Sequence, residues 1–395
     1  MKSVLVAALA MFLVAAAPAP HQHHDEPPVG GVVSVDVCVD GARLHLLTAA
    51  RARARATSEQ PVRLSYQFSD DGGVTFSPAV ELGAQQPATI AKRGMDAQIA
   101  AAGHHLLAVW PTAGSDKMGR GPMATAISSD GGRTWQAAGN PADDDLTIGH
   151  SFIDVAADAA GRFHLVWLDS REGNSKGLRY ARSADGGATW SRNQTLDADC
   201  CECCWNTIQT TDGVAVLYRD NGPRDMAMIR SSDGGDSWSA STPVGRFQWD
   251  ITACPHVGGA LCVSSGAVHA LVWTAKDQET HGVYALNSAD GGATFDPPRR
   301  VGQAGGSHPD LCATPDGRLI ATWDADGGDG ARRGIFIARS ADCGRTWSEP
   351  RRVSDPSVFA THPRVVRTAS SSRVFWTQTP AGQGASWASA GVPVE

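Results

Sequence analysis

Four cysteines crowd into the middle of the chain, in the segment Cys200–Cys204, which reads Cys-Cys-Glu-Cys-Cys. A further cysteine and a histidine stand on either side of a proline, at Cys254 and His256. Thiolate sulfur is the donor that Cu(I) favours, and thiolates combined with imidazoles also bind Zn(II). Because one such segment can offer two or three sulfurs from a single loop, these residues predict a binding site for a transition metal, Cu or Zn.

Two later histidines, His308 and His362, each precede a proline and can complete the coordination of the metal. The predicted ligands are Cys200, Cys201, Cys203, Cys204, Cys254, His256, His308 and His362. The residues predicted to support these ligands or to line the same pocket are His150, Asp154, Glu202, Asp310, Arg364, Arg171, Arg219, Arg224, Trp205 and Trp249. Among them, the carboxylates of Asp154, Glu202 and Asp310 are expected to accept hydrogen bonds that orient the imidazoles.

A short motif recurs six times and indicates how these residues are positioned. It reads Ser-x-Asp-Gly-Gly-x-Thr/Ser-aromatic, with Cys in place of the first Gly in the last copy. Its aspartates are Asp71, Asp130, Asp185, Asp233, Asp290 and Asp342, which are 59, 55, 48, 57 and 52 residues apart. This period fits one four-stranded propeller blade. Ser and Asp can bond the N–H groups of a turn, Gly supplies positive φ, and the aromatic residue fills the space between neighbouring sheets.

These motifs resemble the Asp box, or BNR repeat, of sialidase-like β-propellers, and the resemblance covers nearly the whole mature chain. A second recurring unit, a pair of strands, occurs seven times, and its tryptophans are Trp110, Trp167, Trp273, Trp323 and Trp376, with Tyr218 substituting once. We therefore predict an all-β propeller with seven blades, with the six blades of sialidases as the alternative. An early strand near Val29–Val33 is expected to close the last blade.

Propeller geometry brings the candidate ligands to one place. The chain reverses at every strand, so the loops between the second and third strands and the connections between blades lie on one face, called here the upper face. Five successive connections carry His150, the segment Cys200–Cys204, Cys254 with His256, His308 and His362 at nearly one register. Each connection enters an innermost strand beside the central channel, so these side chains are predicted to converge on the axis.

Disulfide bonds are the alternative use of the cysteines, because an oxidising compartment permits them. Cys254 is expected on the loop next to the cysteine-rich segment, so one or two bridges between these loops are plausible, alone or together with a metal. Cys38, Cys262 and Cys312 fall inside predicted first strands, where a cysteine acts as a small buried hydrophobe.

The N-terminus and the composition limit the class of protein. Residues 1–19 have the pattern of a secretory signal peptide and 20–30 form a tail rich in His and Pro, which leaves 31–395 as a single β-propeller domain. We therefore expect an exported protein, periplasmic or secreted. With 34 Lys and Arg against 41 Asp and Glu among 395 residues, the net charge is −7, which argues against a nucleic-acid partner. No later apolar run is long enough to span a membrane.

The resemblance to sialidases also implies a catalytic set: an arginine triad that grips the substrate carboxylate, a Tyr nucleophile paired with Glu, and an Asp acid/base. The sequence offers no arginine triad that can be assigned residue by residue. Its four tyrosines, Tyr66, Tyr180, Tyr218 and Tyr284, fall in predicted second or third strands. The scaffold is therefore similar, while the catalytic set is not recognisable, and fold alone does not define function.

Three functions stay open at this point. The first is an exported metal-binding propeller, for metal handling or redox chemistry. The second is a sialidase-like glycoside hydrolase, and the third is a non-catalytic scaffold that binds another exported protein. The expected partner is a metal ion or a small-molecule ligand at the channel on the upper face. Only the metal-binding function is supported by the convergent Cys and His residues.

Overall fold

The protein, seen here in a computed structural model, is built of β-strands arranged in seven sheets. The structure describes residues 31–392 except for 52–61, 90–93, 117–118, 145–146, 174–175, 265, 315 and 369–370. The predicted signal peptide and the His- and Pro-rich tail lie outside the described residues. No helix in the described part of the chain is long and apolar enough to cross a membrane.

The strands follow one another along the chain in groups that form successive blades. The first four blades comprise β1 (Gly31–Asp40), β2 (Arg43–Arg51), β3 (Val62–Ser69), β4 (Val80–Leu82), β5 (Gln98–Ala102), β6 (His105–Ala113), β7 (Arg120–Ser128), β8 (Gln136–Ala138), β9 (Ser151–Ala157), β10 (Phe163–Asp169), β11 (Lys176–Ser183), β12 (Gln194–Cys200), β13 (Thr207–Gln209), β14 (Val214–Arg219), β15 (Met226–Ser231) and β16 (Thr242–Val244). The last three comprise β17 (Ala260–Ser264), β18 (Ala267–Thr274), β19 (Gly282–Ser288), β20 (Arg299–Val301), β21 (Ser307–Ala313), β22 (Leu319–Ala325), β23 (Gly334–Ser340), β24 (Arg351–Arg352), β25 (Phe359–Arg367), β26 (Ser372–Thr379) and β27 (Ser386–Val392).

The sheets close into a ring. Six sheets contain four antiparallel strands in sequence order, and the seventh contains the three strands β25, β26 and β27. The first strand of each blade contacts the first strand of the next, and β25 contacts β1. The prediction of a seven-bladed propeller is thereby confirmed.

The segment that closes the last blade is shorter than the strand predicted for this role. Gly31, at the start of β1, forms a single parallel bridge with Ala385, next to β27. The backbone N–H of Val32 donates to the carbonyl oxygen of Ala385 at 2.9 Å. The rest of β1 belongs to the first blade, and Val29 lies outside the described residues. The two ends of the propeller are therefore joined by one bridge from β1 within the described part.

The six repeated motifs form the turns between the third and fourth strands of the first six blades, as predicted. In each turn the second Gly (Gly73 in the first) donates its backbone N–H to the Ser hydroxyl at 2.7–2.9 Å. The Asp carboxylate accepts the backbone N–H of the Thr or Ser four residues later at 2.8–2.9 Å. These short-range bonds explain why the motif is a structural signal.

Aromatic side chains fill the space between blades. The predicted tryptophans of the second strands, Trp110, Trp167, Trp273, Trp323 and Trp376, are all buried, and so is Tyr218. The motifs also pack across blades: a Cβ added at Gly235, which has φ +91°, would collide with the hydroxyl of Tyr180 in the preceding blade. Only Gly has both the backbone conformation and the space for this contact. The resulting rigid ring holds the upper-face loops in fixed positions.

Candidate metal centre

The cysteine-rich segment and the Cys254 loop are neighbours on the upper face. The cysteine-rich segment connects the third and fourth blades, between β12 and β13. The backbone N–H of Cys201 donates to the carbonyl oxygen of Arg219 at 2.9 Å, which holds the segment against the end of β14. Cys254 and His256 lie in the following connection, between β16 and β17. Two successive connections therefore supply donor atoms to one region.

Five donor atoms form two groups that share one sulfur. The first group consists of the Sγ atoms of Cys201, Cys203 and Cys204, and the second of Cys203, Cys254 and a ring nitrogen of His256. Within each group all donor atoms lie within 4.8 Å of one another. The Sγ of Cys201 is 3.6 Å from those of Cys203 and Cys204. Two sulfurs bound to one tetrahedral metal at about 2.3 Å are about 3.8 Å apart, so this spacing fits coordination.

The two groups differ in their access to solvent. The side chains of Cys201, Cys203 and Cys204 are buried, with 1%, 5% and 1% of the residue exposed. Cys254 and His256 are partly exposed. An ion arriving from solvent would therefore meet Cys254 and His256 before it reached the buried sulfurs.

Cys200 is the predicted ligand that faces elsewhere. It is the last residue of β12, and its thiol donates to the carbonyl oxygen of Lys176 at 3.4 Å, across the pair formed with β11. It belongs to neither group of donors. Burial raises the pKa of its thiol well above the usual value. Cys200 therefore packs as a protonated residue of the blade.

The surroundings of the cysteine cluster stabilise negative charge on two sulfurs. Hydrogen bonding with Cys203 and Cys204 lowers the pKa of Cys201, against the effect of burial, and the nearby Arg219 lowers that pKa further. Hydrogen bonds from Cys203 and His256 likewise lower the pKa of Cys254. Hydrogen bonds with Cys201, Cys204 and Cys254 keep the proton on the Cys203 thiol and raise its pKa. Metal binding would displace these protons, so metal affinity should increase with pH.

Two arginines supply positive charge beside the sulfurs. Arg224 Nη1 lies 3.6 Å from Cys201 Sγ and also donates to the Ala253 carbonyl oxygen at 3.0 Å. Arg219 is buried, and its guanidinium donates to the backbone carbonyl oxygens of Arg224, Val257 and Trp273. Its guanidinium lies 5.3 Å from the ring of Trp249, which is buried between blades rather than in the channel. An anionic thiolate cluster is therefore compensated by cations that are already in position.

His308 and His362 form a separate group with a carboxylate that was not predicted. A ring nitrogen of each histidine and an oxygen of Asp324 lie within 4.8 Å of one another. Asp324 Oδ2 lies 2.8 Å from His308 Nδ1 and accepts the backbone N–H of His362 at 2.9 Å. These histidines are not grouped with any cysteine in the described part. The predicted single ligand set is thus divided between two places on the upper face.

Trp205 packs against the histidine pair, beside the channel. Its ring centroid is 5.7 Å from that of His362 and 6.4 Å from that of His308, both edge-on. Phe152 contacts the indole at 5.4 Å. The Nε1 of Trp205 donates to Oδ2 of Asp96, in the second blade, at 2.8 Å. The cysteine-rich segment ends one residue before Trp205, so this part of the chain passes from the cysteine cluster to the histidine pair.

The central channel contains a ring of carboxylates around one arginine. Burial acts to lower the pKa of Arg364, but Asp36, Asp310, Asp154 and Asp96 outweigh it and raise that pKa. Arg364 Nε lies 3.9 Å from Asp36 Oδ1. Charges from five different blades therefore meet beside the axis.

Most of these carboxylates also join neighbouring blades. Asp154 accepts the backbone N–H of Ile208 at 2.8 Å, and Asp310 accepts that of Val365 at 2.7 Å. The prediction that Asp154 and Asp310 orient imidazoles is wrong, because their oxygens bond the first strand of the next blade. Glu202 is exposed and forms no hydrogen bond with a histidine in the described part.

Replacing Asp154 by asparagine should make stability less sensitive to a rise in pH from acid values to about 7. Burial raises the pKa of Asp154 to about 7, against the opposing effect of Arg364. The native state therefore holds a proton that the unfolded chain releases near its usual pKa of about 3.9. This contribution to stability is present at acid pH and is lost as the pH rises through about 7. Asparagine keeps an oxygen acceptor for the N–H of Ile208.

Denaturant unfolding near pH 5 and near pH 8.5 measures the effect. We expect the free energy of unfolding of Asp154→Asn, relative to the wild type, to increase by about 2–3 kcal/mol between these two values. The exposed Asp250→Asn is the matched control and should show no such change. Parallel pH profiles for the wild type and Asp154→Asn would show that Asp154 is ionised throughout.

His150 and Arg171 belong to a buried ionic network in the third blade. His150 Nε2 lies 3.0 Å from Asp144 and Nδ1 lies 3.3 Å from the carbonyl oxygen of Gly121. Arg171 forms ion pairs of 2.8–3.0 Å with Asp169, Asp144 and Asp143. Both residues therefore bind the protein's own groups at the edge of the upper face.

Sequence reasoning missed the carboxylates at the upper ends of second strands. Asp324 follows Trp323 near the end of β22, and Asp169 ends β10 two residues after Trp167. Each lies beside a histidine at a blade entrance, His308 and His150 respectively. One signal in the sequence could have revealed these carboxylates. It is an acidic residue one or two positions after the repeated tryptophan, with a histidine upstream in the same blade.

The catalytic set of sialidases is not assembled from these residues. All four tyrosines are buried in the blades, and burial raises the pKa of Tyr66 and Tyr180 above the usual value. Arg171 binds carboxylates, and Arg219 binds backbone carbonyls. Neither arginine is available to grip a substrate carboxylate.

The fold defines this protein as a seven-bladed β-propeller, and several solved structures are similar to it in fold. An ulvan lyase from a new family of polysaccharide lyases is similar at 10% identity with a TM-score of 0.62, over 92% of this chain and 94% of that one. A protein of unknown function from Dyadobacter fermentans is similar at 14% identity with a TM-score of 0.51, over 91% and 94%. Trypanosoma rangeli sialidase with the inhibitor DANA is similar at 12% identity with a TM-score of 0.51, over 80% and 56%. No family model and no curated protein matches the sequence.

Proposed function

We propose that this propeller binds a soft or borderline transition metal, Cu(I) or Zn(II), through the cysteine cluster on its upper face. The observation that carries the proposal is the pair of donor groups formed by Cys201, Cys203 and Cys204 and by Cys203, Cys254 and His256. Four thiols and one imidazole from two adjacent loops are the donor types that these metals select. Their sulfur spacing of 3.6 Å supports coordination by a shared ion.

The number of donors in each group favours copper. Each group offers three donor atoms, which suits Cu(I), whereas Zn(II) takes four ligands in closed sites. Zn(II) would need a donor from the other group or a water molecule. Because Cys203 belongs to both groups, its thiolate can bridge two Cu(I) ions.

The electrostatic surroundings support the same function. A cluster with several thiolates and one or two monovalent ions carries net negative charge. Arg219 and Arg224 lie beside Cys201 and compensate that charge. Burying an anionic cluster without such partners would be costly.

The biological role we propose is metal handling outside the cytoplasm, in the periplasm or the extracellular medium. This step rests on the signal-peptide pattern of residues 1–19. The partly exposed Cys254 and His256 provide the point at which an ion could be received from, or passed to, an exported partner protein. A redox role would require an open coordination position at the copper.

Metal content measured by mass spectrometry tests the proposal. The protein should be exported into an oxidising compartment and purified without chelators, reductants or a histidine tag. We expect about one or two Cu or Zn ions per chain, which acidification should release because protons replace the metal on the thiolates and the imidazole. Alkylation of the denatured protein, followed by mass measurement, should count all nine cysteines as thiols. A metal-free protein with the cluster cysteines in disulfides would overturn the proposal.

A further inference from the structure

Two imidazoles from successive blade entrances lie face to face beside the channel. The ring centroids of His308 and His362 are 3.8 Å apart, with 27° between the ring planes. Each histidine stands two residues before the channel residue of its blade, Asp310 in one case and Arg364 in the other. Neither ring packs in the interior of a sheet, and both are partly exposed. The pair is therefore accessible to a small ligand.

The hydrogen bonds assign the proton of each ring to Nδ1. His308 Nδ1 lies 2.8 Å from a carboxylate oxygen of Asp324, which can only accept, so Nδ1 donates. The Thr361 hydroxyl donates to the same carboxylate at 2.6 Å. Its oxygen is then an acceptor for His362 Nδ1, 3.0 Å away. In neutral rings Nε2 is therefore the basic nitrogen of both histidines.

Asp324 is held as a carboxylate at the base of the pair. It is fully buried and forms an ion pair with the guanidinium of Arg333. Arg333 Nε donates to Asp324 Oδ1 at 2.9 Å. The other oxygen, Oδ2, accepts hydrogen bonds from His308 Nδ1, the Thr361 hydroxyl and the backbone N–H of His362. A carboxylate that fixes Nδ1–H of a histidine is the arrangement that supports metal-binding imidazoles.

The backbone of the repeat helps to present the two rings. His308 and His362 have φ of 48° and 52°, and each stands at a bulge in the first strand of its blade. Phe152 has the same conformation, with φ of 53°, at the corresponding position of the third blade. The bulge is thus a property of the repeat, and His256, with φ of 54° at the entrance to the fifth blade, shares the conformation of His308 and His362.

We propose that His308 and His362 bind a second metal ion through their Nε2 atoms, independently of the cysteine cluster. Two imidazoles without sulfur favour a borderline divalent ion, such as Zn(II) or Cu(II), over Cu(I). Because the Asp324 oxygens are occupied by donors, the protein supplies two ligands and leaves the other positions to water or to an exogenous ligand. An open site of this kind can bind or activate a ligand that enters the channel beside Trp205.

Zn(II) binding to the Cys203→Ser variant tests this site in the absence of a complete cysteine cluster. Equilibrium dialysis should detect one Zn(II) per chain. The double variant His308→Gln/His362→Gln, made in the same background, should bind Zn(II) at least about 10-fold more weakly. His104→Gln, a change of an exposed histidine on the lower face, is the control and should not alter binding. Equal Zn(II) binding with and without His308 and His362 would overturn the proposal.

A milder variant and a spectroscopic measurement cover the case in which the double variant does not fold. Thr361→Val removes the hydroxyl that links His362 to Asp324 and should weaken the binding of Zn(II) about 10-fold. Long-range 1H–15N spectra of the metal-free protein should show both rings protonated at Nδ1, with Nε2 shifting when Zn(II) is added. An Nε2–H ring, or no shift of Nε2, would overturn the proposal. Copper bound by the wild-type cysteines would be unaffected by that outcome, so this inference can fail while the proposed function stands.

Discussion

Replacing Cys203 by serine should abolish tight binding of Cu(I), whereas replacing Cys200 should leave it unchanged. Cys203 is the sulfur common to both donor groups, so its loss leaves two donors in each. Cys200 belongs to the same cysteine-rich segment, but its thiol bonds the carbonyl oxygen of Lys176. The two substitutions are chemically identical and lie three positions apart, and they differ only in where the side chain points.

We expect the affinity of Cys203→Ser for Cu(I) to fall by more than about 100-fold, which exceeds the effect of losing a residue that merely supports a ligand. Cys201→Ser and Cys254→Ser each leave one complete donor group and should lose about half of the bound copper if two ions are present. Competition with a Cu(I) chelator under anaerobic conditions measures all four variants. Equal affinity in Cys200→Ser and Cys203→Ser would show that the cluster does not hold the metal.

Replacing Arg219 by methionine should cause a large loss of stability, because the Arg219 guanidinium is buried. Its guanidinium donates to the backbone carbonyl oxygens of Arg224, Val257 and Trp273 at 2.7–3.1 Å. Methionine fills much of the volume but leaves these buried acceptors without donors. We expect the free energy of unfolding to fall by about 2–4 kcal/mol, since each unsatisfied buried group costs about 1–3 kcal/mol and the surroundings relax in part.

The same substitution should also weaken metal binding by the cysteine cluster. Arg219 is one of the charges that lower the pKa of Cys201, so its removal should shift metal uptake to higher pH. Thermal unfolding and a pH series of metal binding measure the two effects separately. Arg63→Met is the matched control, because the Arg63 side chain is 75% exposed and its change should cost less than about 0.5 kcal/mol. A stable Arg219→Met protein with unaltered metal uptake would contradict both parts of this prediction.

The architecture could be predicted from the sequence because its signals are local and repeated. The six copies of the Asp-containing motif bond within their own turns, so each copy forms the same structure wherever it occurs. The tryptophans of the second strands recur with the same period and are buried. Seven strand pairs against six turns were sufficient to predict seven blades, because both patterns depend on contacts of short range.

The candidate site could be predicted only as far as the loops that carry it. The repeat period placed the cysteine-rich segment, Cys254 with His256, His308 and His362 on the upper face. It could not show the direction of each side chain, because neighbouring residues on a strand or at a bulge point to opposite sides. That direction separates Cys200 from Cys203, and it separates the histidine pair from the cysteines.

The sequence by itself thus determined the seven-bladed ring, the face that carries the candidate residues and the donor types available there. Only the tertiary structure decided which donors meet. Asp324 supports His308 and His362 because β22 ends beside the entrance to the next blade, while Asp154 and Asp310 bond backbone N–H groups of the following blade. These pairings join residues that are distant in the chain, so they depend on the packing of blade against blade, which no local pattern in the sequence encodes.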